Sequence, residues 1–191
     1  MTPNWFVGFP IELGAYHERL EPVPRGVRLF APSDTHLTVA FFGPVAEAQA
    51  REAFAACPEP GLAPTPVVFT HVELLGARHK PSAISLVGEG EGARAVAACT
   101  GRVRGPLLAA AGARPDDRPP LPHVTIARVQ RKATAEQRHA ARAWALGLPV
   151  PHAPARVVEL ALHTWHPDRA ERLFVVVARR PLTTAEPAPP A

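Results

Sequence analysis

His36-Leu37-Thr38-Val39-Ala40 and, in the second half of the chain, His123-Val124-Thr125-Ile126-Ala127 are two versions of one phrase. In a β-strand successive side chains alternate faces. Each histidine therefore shares a face with the threonine two positions on, while Leu37 and Val39, or Val124 and Ile126, bury the other. Two such strands facing one another bring two imidazoles and two hydroxyls to one place, which is equipment for acid–base work on a phosphate ester. With nine histidines in 191 residues, one such triplet would mean little. Two, each set among aliphatic residues and each continued by alanine, mean more. A buried histidine without a partner is costly, which argues against two core strands that merely happen to carry one each.

Around these strands the hydrophobic pattern predicts a strand over 4–10, a short amphipathic helix over 12–20 stopped by Pro22 and Pro24, and strands over 27–30 and 35–42. A helix over 45–56 and a Pro-rich connector over 58–66 follow, then a hairpin of 67–75 and 83–87 whose loop carries Arg78, His79 and Lys80. A longer helix is expected over 93–111, with Gly101 and Gly105-Pro106 as candidate breaks, before the second histidine strand at 124–129. Thr134 and Gln137 form a capping-box pattern for a helix that ends at Gly147. Strands over 157–165 and 173–178 flank a His166-Pro167-Asp168-Arg169 turn, and the tail from Pro181, PLTTAEPAPPA, is expected to be disordered. The fold class is α+β: one domain over 1–180, built as two similar lobes whose two mainly antiparallel sheets line a cleft, with helices outside. A doubly wound parallel sheet is the alternative, and the adjacent strand pairs argue against it.

At this length the chain suits one domain with a proper core. Its 24 Pro and 13 Gly fall below the level of disordered low-complexity sequence. A net charge of +4 modestly favours an anionic partner, although the basic residues, all arginine but Lys80 and Lys132, equally fit a codon bias. Cys57 and Cys99 lie in Ala-rich helical stretches without metal-ligand spacing and read as reduced, buried and inert, which suits the cytoplasm. No signal peptide and no membrane span are recognisable.

HLTVAFFG and PHVTIAR resemble the paired signatures of the 2H phosphoesterases, more narrowly the RNA 2′,3′-cyclic phosphodiesterases also called 2′-5′ RNA ligases. With the strand Trp5–Pro10 and the approaches Val27–Phe30 and Arg118–Pro122, the likeness covers most of residues 4–180. It implies a bilobal duplicated fold, with His36 and His123 as the catalytic pair and RNA with 2′,3′-cyclic phosphate ends, or related cyclic nucleotides, as substrate. It implies no metal, no cofactor and no membrane, and the chain is expected to act as a monomer. The residues leave open which histidine is acid and which is base; the leaning is His36 as acid and His123 as base. Phe42, Leu29 and Pro120-Leu121 depart from the usual Leu, Trp and Phe-His, which bears on substrate fit more than on reaction class.

Thr38 and Thr125 are the expected donors to the phosphate oxygens. Arg128 matches the family's phosphate-binding arginine, but its odd offset from His123 puts it on the wrong face of a regular strand. A bulge or strong twist is therefore required. Phe41 holds the equivalent offset in the first copy and suits either base stacking or core packing. His17, His139 and His152 are expected at the surface, and His71 and His163 are candidates to line the cleft. Arg118 is a candidate guide for the RNA backbone, Trp144 a core anchor, and Trp165 core or a stacking platform. Two other readings stay open: a 2H enzyme for another cyclic phosphate, such as ADP-ribose cyclic phosphate, and a non-catalytic RNA-binding module.

Overall fold

The computed structural model describes residues 2–77 and 80–183. In chain order its elements are β1 (Trp5–Pro10), β2 (Val27–Leu29), β3 (His36–Gly43), α1 (Glu47–Ala55), β4 (Thr65–Ala77), β5 (Lys80–Glu89), α2 (Gly90–Ala110), β6 (His123–Val129), α3 (Ala135–Gly147), β7 (Ala155–Val157), β8 (Glu159–Trp165) and β9 (Phe174–Pro181). All pairings among them are antiparallel, and the sheet order is β7-β4-β5-β6-β3-β1-β8-β9 with β2 on β6. The fold is α+β. The two sheets expected from the sequence meet at one seam, where β3 pairs with β6 through Leu37 and Val124.

The single strand expected over 157–165 is divided. β7 pairs with β4 at one end of the sheet path, while β8 pairs with β1 near the other. Only Val158 separates them along the chain, so the path must curl until its ends come together. Local pattern could not show this, because both pieces are apolar and extended.

Helix α2 runs unbroken through Gly101, Gly105 and Pro106. An internal proline costs ~3 kcal/mol. The face Val96, Cys99, Val103 and Leu107 is fully buried, and full burial of a large aliphatic side chain returns ~1.5–3 kcal/mol, so packing outweighs the local penalty. Gly92, in its first turn, lets the helix close on β4: a Cβ there would come within 1.8 Å of the Pro66 carbonyl.

Three expectations need correction. Residues 12–20 form a 3-10 helix, Gly14–Leu20, instead of an amphipathic α-helix. Cys57 follows α1 instead of lying within it, though it is buried and free as expected. The tail is ordered at its start: Pro181 ends β9, and Leu182 is buried and donates its N–H to Val158. Residues 184–191, like Arg78 and His79, lie outside the described residues. The capping box at Thr134 and Gln137 forms in full, with both reciprocal bonds made. Among the described residues no helix is long and apolar enough to cross a membrane.

Candidate active site

Directly opposed residues of antiparallel strands point the same way. Continuing the register from Leu37 and Val124 therefore sets His36 beside Thr125 and Thr38 beside His123 on one face. Both Leu37 and Val124 are buried on the other. The four residues expected at the site come together.

Each histidine strand then carries the same irregularity. Along β3, Thr38 is opposite Gly8 and Ala40 is opposite Val7, which leaves Val39 as an extra residue. Along β6, Thr125 is opposite Ser85 and Ala127 is opposite Ile84, which leaves Ile126 extra. Each bulge buries two consecutive residues, Val39-Ala40 and Ile126-Ala127, and shifts the phase of everything beyond. Arg128 is thereby turned out of the core, at the offset where a regular strand would have pointed it inward. Phe41, at the equivalent place, is 56% exposed, so core packing is not its role.

The two histidines hold their protons in the same way. His36 Nδ1 lies 2.7 Å from the carbonyl oxygen of Asp34, and His123 Nδ1 lies 2.7 Å from that of Leu121. A carbonyl only accepts, so in each ring Nδ1 is the donor and Nε2 is left for chemistry.

Their surroundings differ. The His36 ring sits among Phe6 (4.5 Å between centroids), His163 (5.4 Å) and Phe174 (5.4 Å, edge-on). Loss of water around it holds its pKa down at about 4, against the opposing pull of the Asp34 carbonyl and charge; the positive charges of His123 and Arg128 add to the depression. Desolvation wins, so His36 is neutral near pH 7. That His123 and Arg128 are felt at His36 also marks them as its neighbours. Gly8 is needed here, since a Cβ would lie 2.8 Å from the Leu37 carbonyl and 3.3 Å from the His36 ring.

Several further residues shape the site, and of these only His163 was a candidate from the sequence. Asp34 is buried, and its carboxylate accepts the N–H groups of Leu173 (2.7 Å) and Phe174 (3.0 Å). It ties the 166–173 turn to the residue whose carbonyl orients His36. Its position two before His36 was the available clue. Ser85, fully buried, meets the Thr125 hydroxyl at 3.2 Å. His163 is buried, stacked on Phe6 at 4.6 Å, and held down to about pKa 3 by burial and by His36.

A cleft of about 460 Å³ opens beside this face, lined by Thr38, Phe41, Leu75, Arg104, Asp116, Arg118, Leu121 and His123 among others. Arg118 holds Asp116 through two guanidinium bonds of 2.8 Å, which keep the Asp116 carboxyl down at about 2. Arg118 is thus committed to a carboxylate rather than presented as a free cation. A larger hollow, about 540 Å³, is bordered by Glu12, Arg156, Glu159 and Arg179 but includes neither His36 nor His123.

The other histidines depart from expectation in two cases: His71, a candidate for the cleft, is not among the residues that line it, and the His17 ring nitrogens are not at the surface. His139 and His152 are exposed, and His71 is exposed on β4, but both ring nitrogens of His17 are buried without a hydrogen-bond partner. Trp144 packs partly buried against the core. Trp165 is half-buried, with the Arg169 guanidinium over its ring at 4.3 Å. Among the described residues no group of three or more His, Cys, Asp or Glu is placed to hold a metal ion.

The model of the 2′-5′ RNA ligase superfamily matches residues 9–169. The chain belongs to that superfamily. It is therefore a 2H phosphoesterase by family, and its fold is shared by solved members. Escherichia coli LigT complexed with 3′-AMP superposes with a TM-score of 0.67 at 19% identity, covering 95% of this chain and 99% of that one. A structure described as a phosphoesterase gives 0.67 at 18%, covering 96% and 100%. Protein TT0787 of Thermus thermophilus gives 0.63 at 19%, again covering 96% and 100%. At these identities the likeness is one of fold. No curated protein matches.

Proposed function

We propose that this phosphoesterase hydrolyses terminal 2′,3′-cyclic phosphates of RNA to 2′-phosphates. The observation that carries the reading is the pairing of the two H-x-T strands, which sets two imidazoles with free Nε2 atoms and two threonines on one face. Binding alone has no need of two titratable rings held in one tautomer. That LigT, of similar fold, was solved with 3′-AMP fits a phosphorylated ribose as ligand.

In this reading a water attacks phosphorus and gives its proton to Nε2 of one histidine. The P–O3′ bond breaks, and O3′ takes a proton from Nε2–H of the other. Thr38, Thr125 and Arg128 hold the non-bridging oxygens as charge builds on them, and Phe41 offers a face to a base. His36 enters neutral and is suited to be the base, with a bound phosphate raising its pKa toward neutrality. His123 is then the acid, the reverse of the leaning taken from the sequence. With a 5′-hydroxyl end in place of water, the same attack on the cyclic phosphate would break P–O3′ and join the two ends through a 2′-5′ phosphodiester.

Incubation with an RNA oligonucleotide bearing a 2′,3′-cyclic phosphate should yield a 2′-phosphate, with turnover unchanged in excess EDTA because every group invoked is a protein side chain. A 3′-phosphate product, or turnover only of cyclic mononucleotides, would favour the alternative cyclic-phosphate chemistry.

A further inference from the structure

Beyond Arg128, the active face continues into a group of arginines. Arg28 of β2 is directly opposite Arg128 of β6, so the two share a face. The Arg28 guanidinium donates to the main-chain carbonyls of Arg169 and Ala170. The Arg169 guanidinium lies 4.3 Å from the Trp165 ring centroid, with its Nε buried and without a protein partner. Arg128 links this group to the chemistry, since its charge is felt at His36 and the charge of Arg169 is felt at Arg128.

Three like charges gathered without a counter-charge repel one another. Among the described residues, none of the three lies within ion-pair distance of a carboxylate. Of the acids in the adjoining turns, Asp34 accepts the Leu173 and Phe174 amides and Asp168 accepts the Ala170 amide, while Glu171 is exposed and within ion-pair distance of none of the three. The carbonyls that receive Arg28 fix its place without neutralising it, and Trp165 does the same for Arg169. The cluster is ordered and unneutralised, which is what an anion site requires before its ligand arrives.

We propose that Arg28 and Arg169, continued from Arg128, form a second phosphate subsite that takes the phosphate on O5′ of the terminal nucleotide, the internucleotide phosphodiester of an RNA strand. This rests on the cyclic-phosphate reading and extends it: the preferred substrate is a strand of at least two nucleotides. The same chemistry could come from a 5′-phosphorylated mononucleotide, so the test separates the two.

Three non-reacting probes suffice: adenosine 2′-phosphate, adenosine 2′,5′-bisphosphate, and a diribonucleotide ending in a 2′-phosphate. Their binding to the full chain is measured by calorimetry across salt concentrations. The dinucleotide should bind roughly tenfold more tightly than adenosine 2′-phosphate, the size of one charge-assisted contact. Arg169→Gln should erase that gain, leave adenosine 2′-phosphate within about twofold, and lower the salt slope for the dinucleotide by about one. Arg169→Lys, which keeps the charge, should keep the slope and checks that the turn still folds. A dinucleotide no tighter than adenosine 2′-phosphate, or equal weakening of both in Arg169→Gln, overturns the subsite. A gain for the bisphosphate alone overturns its assignment to an RNA strand. If no probe binds the wild-type protein, the cyclic-phosphate reading fails, and the subsite with it.

Discussion

At the scale of the residue, the site turns on two rings that hold their protons identically and are hydrated differently. Both donate Nδ1–H to the carbonyl two residues back, but His36 is walled by Phe6, His163 and Phe174. In the proposed mechanism each ring carries one proton transfer, so His36→Ala and His123→Ala should each lower turnover by roughly 10²–10⁴-fold. Circular dichroism should show both folded, because the apolar faces of β3 and β6 are untouched. A folded variant keeping more than a tenth of wild-type turnover would refute the two-histidine mechanism. Thr38→Val and Thr125→Val keep shape and lose a donor, so turnover should fall more than stability. Arg128→Ala should weaken binding of a 2′-phosphate product. Unchanged product affinity would return Arg128 to the role of a surface charge.

At the scale of the element, matched bulges and one buried carboxylate place these side chains. Val39 and Ile126 are the extra residues that bring Phe41 and Arg128 to the active side. Asp34 holds the 166–173 turn through two amides while its carbonyl orients His36. In Asp34→Asn the amide nitrogen must face one of those N–H groups, donor against donor, so melting temperature should fall. The groups felt at His36 are Asp34 beside it, His123 and Arg128 from β6, with His163 of β8 against its ring. Of these only Asp34 raises the His36 pKa, so its neutralisation should move the acid limb of the pH–rate profile to lower pH. If stability drops and the limb stays, Asp34 serves the turn alone.

At the scale of the whole molecule, two histidines are carried into the packed region where the sheets meet. His36 and His163 are both held below the ordinary histidine value of 6.5, to about 4 and about 3. Between those values and 6.5 the unfolded chain binds protons that the native chain does not, so stability rises with pH there and is lost as pH falls. Denaturant midpoints should therefore drop between pH 6.5 and 5, where most carboxylates are still ionised. In His163→Phe, which keeps the stack on Phe6, that drop should be smaller. An unchanged slope would show that His163 does not resist protonation.

What was legible in the sequence was local and repeated: the H-x-T strands, the capping box, the hairpins, and Arg128 as a candidate that required a bulge. These follow from alternation and turn chemistry, which act over a few residues. The course of α2 through Pro106, the division of 155–165 between distant strands of the sheet, and the convergence of Asp34, Ser85 and Phe174 on the site were not legible, whereas His163 was a candidate from its place in a strand. Each depends on which distant strand lies alongside, and chain entropy, burial and hydrogen-bond satisfaction decide that only when the whole sheet closes. The sequence by itself determined which groups could do the chemistry. The tertiary structure alone decided that Arg28 and Arg169 stand beside them and that one histidine is walled by aromatic rings.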